Sequence, residues 1–203
     1  MKVRASATKR PWTRAATKRT RRRSPPPSVR DPAIAVASGG DAAWRTFGER
    51  MLELERQEWR SRAFSRAEMR RQVAAGRAAV GTLVAEDRLV GFAVATPGWL
   101  ARGATLNNVL IDPAYRGRGL VWPLLAAVER ELGTRGFATL VIDARVDNGF
   151  ADAIERRYGA RARVLARDHP SPYGAQRTIA VELSDPSGGR PRRASRRSSS
   201  IDR

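Results

Sequence analysis

The stretch from Val109 to Gly133 constrains this chain more than any other. It opens with an apolar run, Val109-Leu110-Ile111, halted by Asp112-Pro113, and passes into a basic turn, Arg116-Gly117-Arg118-Gly119. A helical stripe follows at Val121, Leu124, Leu125, Val128 and Leu132, closed by Gly133. The pattern predicts a strand that feeds a helix through a sharp glycine turn. Pro123 falls in the first turn of that helix, where a missing N–H costs least. A turn of this kind leaves several backbone N–H groups unpaired at the positive end of a helix. Glycine lets the backbone approach an anion closely, and two arginines add bidentate donors suited to phosphate. The expected ligand is a pyrophosphate. A basic surface turn has the same four residues, so the surrounding chain must separate the two readings.

That surrounding chain alternates strands and helices. Ala33–Ala37 is a short strand candidate closed by Gly39-Gly40. Asp41 is placed to cap a helix carrying Trp44, Phe47, Met51, Leu52 and Leu54. Ser65-Arg66-Ala67-Glu68 has the form of a capping box and starts a second helix that stops near Gly76. Ala79–Ala85 and Leu89–Ala95, joined by Glu86-Asp87-Arg88, read as a hairpin. Thr105–Ile111 is the strand before the glycine turn. Phe137–Ala144 is nearly all apolar, as a buried parallel strand should be. A helix from Gly149 to Tyr158 follows, then strands at Ala162–Ala166 and Thr178–Leu183 around a loop at Asp168–Gln176. The predicted fold class is α/β, a mixed central β-sheet flanked by helices.

Charge divides the chain into three parts. The 203 residues carry a net charge of +19. Residues 1–30 hold eleven Lys or Arg and no acid, and residues 186–203 hold six Arg and a single acid, Asp202. Between them, residues 31–185 hold 22 basic and 19 acidic residues, and no lysine. The two ends, rich in Ser, Pro and Gly, are expected to be disordered basic tails, and 31–185 the folded domain. The tails could touch nucleic acid or another polyanion without specificity; a solvated extension without a task, or an organelle transit peptide for the first, has the same composition. Zero cysteines exclude a disulfide framework, a thiolate zinc site and a cysteine nucleophile. No apolar run reaches the roughly 20 residues of a spanning helix. The expectation is a cytoplasmic protein without membrane contact, a monomer or homodimer, with no metal.

The context of the glycine turn resembles the GNAT superfamily of N-acetyltransferases across residues 33–183. Ile111-Asp112-Pro113 followed by Arg116, Gly119 and Val121 occupy the places of the family signature, with Val121 where a small residue is usual. A second element, Asn148-Gly149-Phe150-Ala151 and then Ile154-Glu155-Arg156-Arg157-Tyr158-Gly159-Ala160, lies about thirty residues on and resembles the family's Asn-bearing helix. The resemblance implies an acetyl-CoA-binding fold. Backbone groups of Val109, Leu110 and Ile111 would pair with the pantetheine arm. Amides of Gly117, Arg118, Gly119, Leu120 and Val121, behind Arg116, would hold the pyrophosphate. Asn148 would contact the cofactor near its thioester.

It also implies direct attack of a primary amine, on a small molecule or peptide, upon the thioester. A protonated amine needs a base, and Asp143, on the strand before Asn148, stands where relatives that acetylate N-terminal amines commonly carry Glu. One methylene shorter, it would act through water; a strand-end Asp paired with Arg145 is the plain alternative. Many relatives have a tyrosine acid at the place of Glu155; Tyr158 and Tyr173 are other candidates, and a thiolate can also leave without an acid. The single histidine, His169, reads as a loop residue or an acceptor contact. Trp99 could line the acceptor cleft, Trp44, Phe47 and Trp59 read as core or groove aromatics, and Arg56, Arg60, Arg62 and Arg66 would favour an acidic acceptor. Two other readings are a cofactor-binding module without turnover and a polyanion-binding protein acting through its tails.

Overall fold

The computed structural model describes residues 34–74 and 76–184. The expectations for residues 1–30 and 186–203 lie outside them. In chain order the elements are β1 (Ile34–Ser38), α1 (Gly40–Trp59), α2 (Arg66–Val73), β2 (Ala79–Ala85), β3 (Arg88–Pro97), β4 (Gly103–Ile111), α3 (Val121–Thr134), β5 (Thr139–Arg145), α4 (Phe150–Tyr158), β6 (Ala162–Ser171) and β7 (Gly174–Glu182). The succession of strands and helices is the one the sequence predicts.

Local chemistry explains the main boundaries. Ser65 accepts from the Glu68 amide while the Glu68 side chain accepts from the Ser65 amide at 2.8 Å, so α2 starts on a complete capping box. β2 and β3 are joined through Glu86 and Asp87, with φ of +49° and +59°; two successive left-handed residues match the twist of a tight hairpin. At the end of β4, buried Asp112 accepts from the Ala114 amide at 3.0 Å and pairs with Arg50 of α1. Its carboxylate stops the strand and ties the turn beyond it to α1.

The seven strands form one sheet in the order β1-β2-β3-β4-β5-β7-β6. Neighbours run antiparallel except β4 and β5, which are parallel. On one face α3 and α4 bury Leu124, Leu125, Val128, Leu132, Ala151 and Ile154 against Leu83, Leu140, Ile142 and Ile179. On the other, Met51, Leu52, Leu54, Met69 and Val73 of α1 and α2 cover Phe92, Val94 and Leu110. Each large side chain enclosed in this way contributes about 1.5–3 kcal/mol of burial.

β4 and β5 pair only where Gly103–Leu106 faces Thr139–Ile142. Beyond that, β4 stays with β3 and β5 stays with β7, and the two strands part. A bulge marks the parting: Val94 pairs with Asn108 and Ala95 with Leu106, so Asn107 is an extra residue on β4. A bulge bends its strand and strengthens the local twist, which carries the end of β4 away from β5.

The β6–β7 hairpin departs from expectation. The predicted loop at Asp168–Gln176 is strand on both sides, with β6 running to Ser171 and β7 beginning at Gly174. Two register shifts, between Val164 and Ala166 and between Ala166 and His169, break the alternation by which a strand is recognised. Polar residues here also find partners within the fold. Arg177 of β7 is buried and pairs with Asp168 at 2.9 Å, with Asp152 at 2.8 Å, and with Glu155 of α4.

Candidate active site

Two cavities meet where β4 and β5 part. The first, of about 480 Å³, runs along Val109, Leu110 and Ile111 to the turn of Arg116, Gly117 and Gly119, and is walled by Val121, Trp122, Asn148 and Phe150. The second, of about 470 Å³, lies deeper between α1 and the sheet, with Glu55, Glu58, Trp59, Asn107, Asp143, Arg145 and Tyr173 in its wall. Val109, Leu110, Glu58, Asn148 and Phe150 border both. Together they form a passage through the sheet.

The turn at the first cavity has the predicted form. Gly117 and Gly119 have φ of +76° and +71°, the left-handed region that glycine enters without steric cost. No side chain caps α3, whose N-cap residue is Leu120; the Trp122 amide donates back to the Gly119 carbonyl at 3.1 Å and Pro123 has no N–H, so the amides placed to face the cavity are those of the turn up to Val121. Val121, singled out for its bulk, packs in part against the core between sheet and α3. Arg116 turns back: its guanidinium donates to the Ile111 carbonyl at 2.9 Å and to Glu58 at 2.6 Å. That side chain locks the turn to α1 and to the end of β4. Arg118 lies over the Tyr115 ring at 5.2 Å.

Asn148 follows β5 at the junction of the cavities. Its side-chain oxygen accepts from the Phe150 amide at 3.0 Å and holds the start of α4. Asp143 lines the deeper cavity and accepts from Thr178 Oγ1 at 2.6 Å. Its side chain is not bonded to Arg145, whose guanidinium goes to Asp147 at 2.6 Å and lies over Trp59. The structure brings together nearly all of the predicted residues, Val109, Leu110, Ile111, Arg116, Gly117, Gly119, Leu120, Val121, Asn148 and Asp143, along one passage.

Other candidates lie elsewhere. Tyr158 is buried and donates to Glu129 at 2.6 Å; burial first, and then this bond, push its phenol far above the ordinary range. Glu155 is taken by Arg177. Of the three acids considered, Tyr173 alone borders the deeper cavity, its ring edge-on to Trp59 at 4.9 Å. Trp99 is 72% exposed on the turn before β4, at the end where β4 and β5 remain paired, and lines neither cavity. Arg56, Arg60, Arg62 and Arg66 are exposed and line neither cavity. α1 offers the cavity Glu55 and Glu58 instead, so the wall is acidic where basic residues were expected.

Glu55 was missed in the sequence. It is 1% exposed, accepts from Asn108 Nδ2 at 2.5 Å and from the Phe64 amide at 3.3 Å, and sits four residues from Met51 on the buried stripe of α1. A carboxylate inside an apolar stripe is the signal that could have found it. Burial raises its pKa above the usual 4.5, the bonds from Asn108 and Phe64 oppose that, and Glu58 adds to the rise. A raised folded-state pKa means that the native protein holds this proton more tightly than the unfolded chain. The associated stability is present below the unfolded pKa and is lost as pH climbs through the interval up to the folded value. Urea midpoints of the wild type, measured against Glu55→Gln, should therefore fall as pH rises through that window. A constant gap between the two proteins would show that burial does not bias the carboxyl.

The model of the acetyltransferase (GNAT) family matches residues 45–159. The chain belongs to the GNAT family. Members are acyl-CoA-dependent transferases, and the matched segment contains β4, the glycine turn, β5 and α4. The chain is 33% identical over 102 residues to the ribosomal protein bS18-alanine N-acetyltransferase of Salmonella typhimurium, an alignment covering 50% of this chain and 68% of that one. It is 35% identical over 81 residues to the Escherichia coli enzyme of the same name, covering 39% and 55%. The crystal structure of the Escherichia coli ribosomal-protein-S18-alanine N-acetyltransferase superimposes with a TM-score of 0.57 at 23% identity, over 75% of this chain and 95% of that one. An aminoglycoside 6'-N-acetyltransferase complexed with coenzyme A gives 0.62 at 17%, over 77% and 99%. At these identities the structures establish a shared fold. No helix among the described residues is long and apolar enough to cross a membrane.

Proposed function

We propose that this GNAT protein transfers the acetyl group of acetyl-CoA to the N-terminal α-amine of a protein or peptide. The observation that carries the reading is the passage itself: a glycine turn at a helix start opens one end, and carboxylates line the other. In this reading the amides from Gly117 to Val121 bind the pyrophosphate. The unpaired edge of Val109–Ile111 binds the amide-bearing arm as an added strand, and Asn148 orients the thioester.

Asp143, whose carboxylate meets the Thr178 hydroxyl rather than an arginine, favours an acceptor that arrives as a cation. Asp143, through water, takes one proton from the ammonium; the neutral amine attacks the thioester carbonyl, a C–N bond forms and the C–S bond breaks. The amine's second proton passes to solvent, and the departing thiolate takes a proton from water. An α-amine of pKa about 7.7–8.0 gives up its proton more readily than a lysine amine near 10.4, and so asks less of any base. The alanine N-acetyltransferases to which the chain is similar support the same acceptor class. Trp59 and Tyr173 offer apolar surface to the residues after the amine.

The test is incubation of the full chain with acetyl-CoA and two peptides identical but for a free or a formylated N-terminal alanine. Release of CoA thiol and a gain of one acetyl group are expected for the free amine alone. Acetylation confined to internal lysines would overturn the α-amine reading, and absence of thiol release across amines of every class would overturn transfer itself.

A further inference from the structure

We infer that Thr178 and His169 form an outlet for the proton taken up by Asp143, an inference that rests on Asp143 acting as the base. Asp143 and Thr178 stand directly opposite one another in the β5–β7 ladder, and Thr178 Oγ1 donates to Asp143 Oδ1 at 2.6 Å. Behind Thr178, His169 Nε2 lies 2.9 Å from the same hydroxyl. Neither Thr178 nor His169 lines the cavity that Asp143 lines. The Thr178 hydroxyl thus links the cavity carboxylate to the chain's single histidine.

The strand geometry that makes this contact is specific. In the β6–β7 ladder Thr178 pairs with Ala166 and His169 with Gln176, and a register shift separates the two pairs. The shift carries His169 to a position diagonal to Thr178. Strand alternation sends the flanking residues the other way: Arg177 and Asp168 pair with each other, and Arg177 reaches α4. The side chain of His169 is thus withdrawn from the ion-pair network that its neighbours build. It is half-buried, close enough to the surface to exchange protons with water.

Asp143 is open to water; a bound acceptor takes that open side, and Thr178 and His169 behind it then give the proton a second way out. With an amine in the deeper cavity, beneath Trp59 and Tyr173, Asp143 faces substrate on its open side. Thr178 already occupies Oδ1, which leaves Oδ2 for the incoming proton. The protonated carboxyl turns about its Cβ–Cγ bond to bring that proton to Thr178 Oγ1, and the hydroxyl gives its own hydrogen to the lone pair of Nε2 in the imidazole tautomer that carries its hydrogen on Nδ1. One proton enters the chain at Asp143 and one arrives at Nε2; the carboxylate is restored and the imidazolium gives its Nδ1 proton to water. No bond to carbon changes and no oxidant is consumed. Thr178 and His169 are positioning residues in this scheme, because neither touches the acceptor.

The test compares Thr178→Val, Thr178→Ser, His169→Gln and Asp143→Asn in the full chain, with acetyl-CoA and the alanine-initiated peptide. Thr178→Val is expected to lower kcat about tenfold, less than loss of a direct base, with KM for acetyl-CoA within twofold of wild type. Thr178→Ser restores the hydroxyl and should return kcat to within about twofold of wild type. His169→Gln keeps a polar neighbour for Thr178 but cannot carry the proton, and it should match Thr178→Val. It also serves as the readout if Thr178→Val does not fold. Wild-type kcat in His169→Gln or in folded Thr178→Val would overturn the outlet, as would equal losses in the serine and valine variants. A wild-type rate in Asp143→Asn would instead strike the base assignment on which the outlet rests.

Discussion

Asp143→Asn is expected to slow acetyl transfer by about 10²-fold or more while binding of CoA stays within a fewfold of wild type. Asparagine has the same shape and can still accept from Thr178 Oγ1, so the β5–β7 contact survives and the change removes basicity alone. The residue lies in the wall of the deeper cavity, away from the turn expected to hold the pyrophosphate, and so affinity and turnover should separate. Single-turnover rates together with calorimetric titration of CoA measure the two quantities independently. The rate loss should shrink as pH approaches and passes the pKa of the acceptor amine, because an amine already neutral no longer requires a base. Turnover unchanged at neutral pH would remove Asp143 from the chemistry.

The second large effect concerns the turn. Gly119→Asp should weaken CoA binding on the order of 10²-fold, whereas Gly119→Asn should cost only a small part of that. Gly119 has φ of +71°, and Asp and Asn are among the side chains that tolerate this region best. A Cβ there would meet only Trp122, at 3.8 Å, so crowding is not the cause. The two variants share strain and size and differ in charge. A carboxylate about 5 Å from a phosphate charge, at an effective dielectric near 20, repels it by roughly 3 kcal/mol, which converts to the stated loss. Calorimetry at two salt concentrations provides the check, since the gap between the variants should narrow at high salt. Equal affinities for Asp and Asn variants would move the pyrophosphate away from this turn.

The parts of the fold legible in the sequence are those where one periodicity runs unbroken. Val121 to Leu132 keeps a helical stripe, Ser65 and Glu68 make their capping box, and Val109–Ile111 ends at the Asp112-Pro113 stop. The β6–β7 hairpin was hidden because its two register shifts erase alternation, and because Asp168 and Arg177 look like loop residues until each finds the other. That error had a consequence for function: with 168–176 taken as loop, His169 had no reason to stand near Asp143. Arg56, Arg60, Arg62 and Arg66 show a different difficulty. Arg56 is on α1 but the side of that helix facing the cavity belongs to Glu55 and Glu58, and Arg60, Arg62 and Arg66 lie beyond its end, exposed. Tyr158, a candidate three residues after Glu155, has its hydroxyl claimed by Glu129 on α3, a tertiary contact no local pattern encodes.

The parting of β4 from β5 gives this sheet an edge inside the molecule as well as the outer ones at β1 and β6. Peptide groups on an outer edge invite other chains to add on, and the two irregularities in β6 blunt that tendency. The inner edge is shielded by position: helices lie over both faces of the sheet, so a second folded protein cannot reach it, while a slender chain of amides can. The molecule can therefore keep unsatisfied backbone on offer to its ligand without exposing itself to aggregation.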